Sequence, residues 1–508
     1  MSDERDPERN RLAARIGRVA QVGANMSSAV GARMMGADQK ALAIAMRQAL
    51  GRSKGPLMKV AQLLATIPDL LPQAYAEEFR KLQAHAPAMG WPFVQRRMRA
   101  ELGGDWQSKF KSFEHEAAAA ASLGQVHRAE AHDGRALACK LQYPDMASAV
   151  EADLGQLRTL LSLFKSMDGT IDSSEAIEEV SERLREELDY ARELKHMRLF
   201  AAMLAGDARI QTPEPVEALS TKRLLTMTWL EGRGLMSWIE EPQEIRNRIA
   251  ELLFRAWWGP MTHYGVIHGD PHLGNYALTE NAEHLLLLDF GCVRIFPPHF
   301  LEGVVGLYNG LKGEDRDQVA HAYEVWGFRN LNAELIEALT LWARFIYGPL
   351  LEDRVRTIAD EVPPAEYGRR EAIEVRRRLK TLGPVLVPRE FVFMDRAAIG
   401  LGAAFLHLRA ELNFGALFAA SVEGFSAEAL GARQTAALAV AFQFLAMLGV
   451  YLAVLLLGLN RVVVVGQSDQ LVIVLWISIV FAVPAASYIV GRLSLVLPAL
   501  AVDRQRPW

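Results

Sequence analysis

The spacing of apolar positions changes several times along the chain, and each change predicts a different element. Residues 8–50 and 56–100 carry apolar residues at helical spacing, first in RLAARIGRVAQVGANMSSAVGARMMG and then in LMKVAQLL and AYAEEFRKLQAHA, with Pro68 and Pro72 as breaks. From about residue 110 the period shortens. QVHRAEAH and RALACKLQ read as short strands on either side of Asp133-Gly134, a dipeptide suited to a hairpin turn. Helices over about 145–166 and 173–204 follow, the second closing the charged run EEVSERLREELDYARELKHM. RLLTMTWLEG (223–232) predicts a strand entering a Gly-bearing turn, and EIRNRIAELLFRAWWGPMTHYG predicts an amphipathic helix ending at Gly265. Beyond the apolar strand LLLLDFG, residues 299–430 predict helices throughout.

Two later runs are apolar on every side. Residues 435–459, TAALAVAFQFLAMLGVYLAVLLLGL, carry no charge over 25 positions. As a helix this run is roughly 37 Å long at 1.5 Å per residue, enough for a hydrocarbon core of about 30 Å. After a loop with Arg461 and Asp469, residues 471–491 are again uncharged. Pro484 inside that run is tolerated in membrane helices. A buried helical hairpin of a soluble core is the alternative, and two adjacent runs of this length favour a transmembrane hairpin. Arg433, Arg492, Arg504 and Arg506 flank the hairpin against Arg461 in its loop. That bias predicts a multi-pass protein of the inner (cytoplasmic) membrane with its body on the cytoplasmic side. The basic, small-residue helix over 8–36 suits an ordinary surface or a membrane surface.

Composition narrows the classes. With 508 residues the chain has room for two domains, and 23% charged residues with a net charge of −4 argue against a nucleic-acid partner. Its two cysteines, Cys139 and Cys292, make neither a disulfide framework nor a zinc spacing, and suit a reducing compartment. The opening MSDERDPERN has no apolar stretch of the kind a secretory signal needs.

A strand-rich piece, a linker strand and a helical piece opening with polar loops make a bilobal plan, and the polar breaks suggest its chemistry. Phosphoryl transfer needs metal ligands, a group beside the attacking oxygen, a cation on the phosphates and a backbone segment over them. In VIHGDPHLGNY, Asp270 precedes Asn275 by five residues, the spacing of a catalytic-loop acid and a Mg²⁺-holding amide. Asp289 of Asp289-Phe290-Gly291 ends an apolar strand, where a carboxylate suits a metal between phosphates. Lys140 lies in the apolar strand LACKLQ and needs an anionic partner, which phosphates and a helix carboxylate would supply. The predicted fold is α+β, a bilobal protein-kinase-like fold with an N-terminal helical extension (1–105), an N-lobe (106–232), a helical C-lobe (233–430) and two transmembrane helices (435–491). Where a glycine-rich loop would cover phosphates, the chain has AAAAASLGQVHRA, and alanines restrict φ where glycines do not, so a stiffer cover over 119–125 is expected. Cys139 and Cys292 suit small apolar fillers, and His268 and His272 suit loop structure better than metal ligation.

These motifs resemble the UbiB/ADCK (aarF-domain) atypical kinases: AAAAASLGQVHRAEAHDGRALACKLQYPD, ELDYARE, HGDPHLGN and LLDFG carry the likeness over roughly 8–430. RLAARIGRVAQVG and QEIRNRI are most similar to the branch that supports ubiquinone biosynthesis. The resemblance implies ATP and Mg²⁺ as cofactors and ATPase-like activity ahead of protein-kinase activity. It also implies membrane lipid, quinone precursors and quinone-biosynthesis enzymes as partners. It makes Lys140 and Asp270 the catalytic pair and Asn275 and Asp289 the metal ligands. Ala119, Ala120, Ala121, Ser122, Gly124 and Gln125 would cover the nucleotide. The family's KxGQ helix falls on Lys59-Val60-Ala61-Gln62, with Ala61 replacing the glycine, and its ExD motif falls on Glu187 and Asp189. Spacing leaves Glu186, Glu187 and Glu193 open as partners of Lys140; the resemblance assigns Glu193 to Lys140 and Glu187 to Lys59, with Lys59 and Gln62 occluding the face where a protein substrate would dock. Thr228 stands where the family often has an acidic hinge residue, leaving adenine contacts to the backbone. Two other functions suit the same motifs: a small-molecule or lipid head-group kinase, and a non-catalytic, nucleotide-gated scaffold of a biosynthetic complex.

Overall fold

The computed structural model describes residues 89–434, except 122, 145, 152–153, 156–180, 183, 360–367 and 383–388, together with Ile44 and Glu78. Most of the N-terminal extension, with Lys59 and Gln62, and the apolar runs 435–459 and 471–491 lie outside the described residues. Among the described residues no helix is long and apolar enough to cross a membrane.

In chain order, helix α1 (Trp91–Leu102) leads to strands β1 (Ser112–Phe113), β2 (Ala119–Ala121), β3 (Gly124–Glu130) and β4 (Ala136–Gln142). Helix α2 (Tyr190–Leu204), β5 (Ile210–Gln211), β6 (Leu224–Thr228) and β7 (Arg233–Gly234) come next. Helix α3 (Gln243–Tyr264) precedes β8 (Val266–His268), β9 (Tyr276–Leu278), β10 (Leu285–Leu287) and β11 (Val293–Ile295). Helices α4 (Pro298–Lys312), α5 (Arg316–Val325), α6 (Ala333–Leu351), α7 (Arg369–Leu382), α8 (Arg389–His407) and α9 (Phe414–Val422) follow, and residues 427–434 are again helical. The chain divides into two compact units. One takes Met1–Leu194, Pro213–Glu231 and Asp289–Cys292; the other takes Lys195–Thr212, Gly232–Leu288 and Val293–Trp508.

The first unit is built on an antiparallel sheet of order β1-β3-β4-β6, with β2 also paired to β3. The turn expected at Asp133-Gly134 forms, with Gly134 at φ +87° and the Asp133 carboxylate holding the Arg135 guanidinium at 2.8 Å. Nearly all of β4 is buried, so its two faces have separate duties. Leu137, Cys139 and Leu141 join Val94 and Met98 of α1, Trp106, Phe110 and Leu224 in one apolar cluster. The period of two then sends Ala138, Lys140 and Gln142 to the other face.

Helix α1 is strapped to the sheet by a buried ion network. Arg97, 4% exposed, donates to the carbonyls of Gln142 (3.2 Å) and Tyr143 (3.1 Å) and pairs with Glu101 (3.3 Å). Glu101 in turn accepts from Arg223 (2.9 Å) and the Thr221 hydroxyl (2.7 Å), which ties the end of β4 to the start of β6. The charged run expected to be helical over 173–204 is broken at Leu188–Asp189. The cause is capping: the Asp189 carboxylate accepts the backbone N–H groups of Ala191 and Arg192, both at 3.1 Å, and starts α2 afresh.

The second unit centres on α3, which buries Trp257 and Trp258 among others and ends at Gly265 in the left-handed region (φ 73°), as its sequence predicts. Strand β8 pairs with β11, while β9 and β10 form a hairpin flanked by β7 and by β5, the latter parallel to β10. The stretch 299–430 is not helical throughout. Arg356 and Leu412 exchange backbone hydrogen bonds of 3.1 and 3.0 Å across an isolated bridge, which satisfies backbone groups that a helix would otherwise have used.

Replacing Arg97 with Ala should destabilise the protein by about 3–5 kcal/mol, because it leaves two carbonyls and a buried carboxylate short of a partner. Urea unfolding followed by tryptophan fluorescence would read this, and a loss under about 1 kcal/mol would show that the strap contributes little.

Candidate functional site

Lys140 is a buried cation of the first unit. Its Nζ lies 2.8 and 3.0 Å from the two carboxylate oxygens of Glu193 and 2.7 Å from Oδ2 of Asp289. The Tyr190 ring lies beneath it, with the ammonium 5.2 Å from the ring centroid. Each partner arrives by a separate local device. The Asp189 cap puts Glu193 in the first turn of α2. Fully buried Phe290 anchors the Asp289-Phe290-Gly291 turn, and Phe290 N–H points at Glu193 Oε1 (3.4 Å). Gly291 N–H donates to Asp289 Oδ1 at 2.9 Å, so one oxygen of Asp289 is oriented by backbone and the other by the lysine.

One cation between two carboxylates leaves an excess of negative charge. Burial opposes the Lys140 charge, but Asp289 and Glu193 outweigh it and hold the ammonium well above its ordinary pKa. Burial pushes the Glu193 carboxyl up to about 7, with Lys140 opposing that rise and Asp289 reinforcing it. Asp289 keeps a side-chain exposure of 30%, against 3% for Glu193, and is therefore the carboxylate of the pair that can meet a ligand. Cys139, on the other face of β4, is pushed up to about 12 by burial despite a 3.8 Å contact from the Thr226 hydroxyl, as an inert filler would be. Cys292 is half-buried.

The alanine segment is a strand. Ala119, Ala120 and Ala121 pair with Val126, Gln125 and Gly124, and the first two alanines are exposed. Ser122 lies outside the described residues. Gly124 has no room for a side chain: a Cβ there would meet the Leu141 carbonyl oxygen at 2.0 Å and the Tyr190 hydroxyl at 3.1 Å. The Gln125 side chain turns inward, and the whole residue is buried. Its Oε1 accepts Met89 N–H (2.5 Å), and its Nε2 donates to Met89 O (3.2 Å) and lies 2.7 Å from His127 Nε2. His127 Nδ1 is 2.8 Å from Glu114 O. A carbonyl can only accept, so Nδ1 carries the proton and Nε2 accepts from Gln125. The neutral ring stacks on Phe113 at 5.3 Å, and burial lowers its pKa.

In the second unit, the loop after β8 gathers the acid and the amide. Asn275 Nδ2 donates to Asp270 Oδ2 (3.1 Å), and Asp270 O receives Asn275 Nδ2 and the Tyr276 hydroxyl, each at 3.4 Å. His272 Nδ1 accepts Gly274 N–H at 3.1 Å, and His268 is buried among Phe200, Trp257 and Tyr276. Both histidines therefore serve the loop's structure. Among the described residues no cluster of three or more His, Cys, Asp or Glu side chains could hold a metal by itself. A Mg²⁺ site shared with phosphates needs only one or two carboxylates, and Asp289 fits that demand.

Of the three glutamates that spacing left open, Glu193 reaches Lys140 and Glu186 pairs with Arg192 at 2.9 Å. Glu187 lies at the end of the helical turn before Asp189, while its expected partner Lys59 and Gln62 lie outside the described residues. The Thr228 hydroxyl accepts Glu214 N–H at 2.8 Å. Tyr190 and His127 were not singled out by sequence reasoning. The alternation in GQVH, which puts Gln125 and His127 on one face, is the signal that could have found the second.

Residues 81–323 match the ABC1 atypical kinase-like domain. The chain is 26% identical over 383 residues to the mitochondrial atypical kinase coq-8 of Caenorhabditis elegans, covering 73% of this chain and 49% of that protein. It is 30% identical over 251 residues to the mitochondrial atypical kinase COQ8 of Saccharomyces cerevisiae, covering 49% of this chain and 50% of that one. The chain thus spans about half the length of the curated relatives it matches. Among solved structures, that of Rv3197 from Mycobacterium tuberculosis in complex with erythromycin superposes with a TM-score of 0.53 at 26% identity, covering 77% of this chain and 97% of that one. The kinase-like α+β fold is thereby shown for the matched region.

Because the His127 pKa is depressed, its contribution to stability is present above the ordinary 6.5 and is lost as pH falls through the lower folded value. Protonated Nε2 would confront the Gln125 amide donor and force it off Met89. Hydrogen exchange at the Met89 amide, corrected for intrinsic rate, should accelerate on acidification below 6.5 while β3 and β4 stay protected. A His127→Phe variant should show no such step; an identical step in that variant would exclude the histidine as its source.

Proposed function

Because the chain carries an ABC1 atypical kinase-like domain, we propose that it binds Mg-ATP and acts as a kinase-like ATPase supporting ubiquinone or related isoprenoid-quinone synthesis at the inner membrane. The observation that carries the nucleotide part is the buried Lys140 held by Glu193 and Asp289. A lysine that is buried, fully charged and fixed by a helix carboxylate suits the α and β phosphates. Glu193 would keep its hold on Lys140, and Asp289, the more exposed carboxylate, would hold Mg²⁺. Mg²⁺, when bound, supplies charge neutralisation between the phosphates. Asn275 is the second candidate ligand, and Asp270 suits the place beside the attacking oxygen. The Asn275 amide bond to Asp270 keeps that carboxylate oriented.

The exposed faces of Ala119 and Ala120 suit a stiff cover over the nucleotide. Lys59 and Gln62 enter by resemblance alone, as a restraint on protein-substrate access. The membrane part of the proposal rests on the uncharged runs 435–459 and 471–491 and their arginine flanks. The quinone part rests on the motif resemblance, which also makes quinone precursors, membrane lipid and quinone-biosynthesis enzymes the partners to test.

Purified full-length protein should turn over ATP with Mg²⁺, faster with anionic lipid or quinone-precursor analogues. Nucleotide binding without turnover would favour a nucleotide-gated scaffold, and a phosphorylated lipid head group would favour a lipid kinase. Asp289→Asn should cut Mg²⁺-dependent nucleotide affinity by at least about tenfold in calorimetry, about 1.4 kcal/mol, with the circular dichroism spectrum unchanged. Unaltered Mg-ATP affinity in that variant would remove Asp289 from the site.

A further inference from the structure

The loop that carries Asp270 and Asn275 is braced from within. Asp270 O receives the Asn275 amide and the Tyr276 hydroxyl, and that hydroxyl accepts Trp257 Nε1–H at 3.1 Å. Such a loop moves as a body or not at all. Its remaining freedom is set where it meets the rest of the second unit, and one close contact there is with α8.

Gly400 stands in the middle of α8. A Cβ built on it would lie 2.0 Å from Cγ of Pro271, 2.3 Å from its Cβ and 3.6 Å from its Cδ. Carbon atoms in ordinary contact are about 3.5–4.0 Å apart, so the proline ring occupies the space that any side chain at 400 would need. A glycine inside a helix weakens it relative to alanine, so propensity alone gives no reason for one here. Helix α8 is also poorly placed to retreat. Ala397, Leu401 and Ala404 are buried, and Phe405 packs on Phe254 and Phe414 with centroids 6.5 and 5.1 Å away. The carbonyl of Leu408, just past its end, accepts from Arg246 at 2.7 Å. A push at this contact therefore falls on the loop.

The ring transmits that push directly. Proline fixes its own φ and holds the preceding residue to extended backbone, so a displaced ring carries Asp270 with it. Asn275 follows through its amide bond to Asp270. We propose that Gly400 is a positioning residue for the acid–amide loop, a notch in α8 that seats Pro271 and sets the place of Asp270 and Asn275. The notch comes from a helix beyond residues 81–323, the part that matches the kinase-like domain. The kinetic consequence rests on the ATP turnover proposed above; the structural one does not.

The test is Gly400→Ala in the full-length protein. If Gly400 were only an ordinary helix position, alanine would raise the melting temperature and leave the rest unchanged. The notch instead requires faster hydrogen exchange over 268–277 and a fall in kcat of about 100-fold, as misplacement of order 1 Å brings. Nucleotide affinity measured without Mg²⁺, which reads the Lys140 cluster apart from the Asn275 ligand, should stay within about threefold of wild type, a split that general destabilisation would not produce. Adding Pro271→Gly, which removes the ring atoms from the clash, should recover kcat by at least about tenfold over Gly400→Ala alone. Unchanged exchange over 268–277 in Gly400→Ala overturns the proposal, as does a double variant no better than the single one. If Gly400→Ala does not accumulate as folded protein, folding regained in the double variant supports the notch and folding still lost overturns it. If wild-type protein shows no ATP turnover, the proposed function fails, and the exchange measurement alone decides the notch.

Discussion

The ion cluster of Lys140, Glu193 and Asp289 sets the terms for the first unit. Burying an ammonium between two carboxylates is a poor way to gain stability, since an apolar trio of similar volume often does as well, yet removing one member leaves an uncompensated buried charge. The surroundings are organised accordingly. Strand β4 gives one face to the apolar cluster and the other to the lysine. Asp189 starts α2 where Glu193 falls in its first turn, and buried Phe290 pins the turn that carries Asp289. Gly124 lets β3 approach the Leu141 carbonyl and the Tyr190 hydroxyl without a side chain in the way. Each feature is local, and each makes sense only with the lysine in place.

Much of this was legible in the order of residues. The hairpin at Asp133-Gly134, the strand holding Lys140 and the stop of α3 at Gly265 follow from turn chemistry and period, because those signals are short-ranged. The choice of Glu193 over Glu186 and Glu187 was not readable from spacing. It depends on a break at Leu188–Asp189, which interrupts what reads as one charged helix. The resemblance names Glu193, which pairs with Lys140 at 2.8 Å, and the carboxylate cap supplies the physical reason.

Other features had no sequence signature. Gln125 belongs to a motif that suggests a nucleotide cover, and its side chain is nonetheless spent on the backbone of Met89, 36 residues away. The contact of Gly400 with Pro271 joins residues with no common pattern. The bridge between Arg356 and Leu412 interrupts a stretch whose local composition is helical throughout. In each case a long-range neighbour decides what the residue does, and period and propensity carry no information about such neighbours.

The relay from Glu114 through His127 and Gln125 to Met89 has a direction, because every hydrogen in it is assigned. Glutamate would match the shape of Gln125 and reverse that direction. A carboxylate cannot donate to a neutral imidazole or to the Met89 carbonyl, so it would stay seated only by drawing a proton onto His127. The amide gives a junction that loosens in acid; the carboxylate would give one that tightens in acid and opens in base. Two side chains that differ by one atom would thus set opposite responses at the same joint, and chemical similarity is a poor guide to which exchanges this strand tolerates.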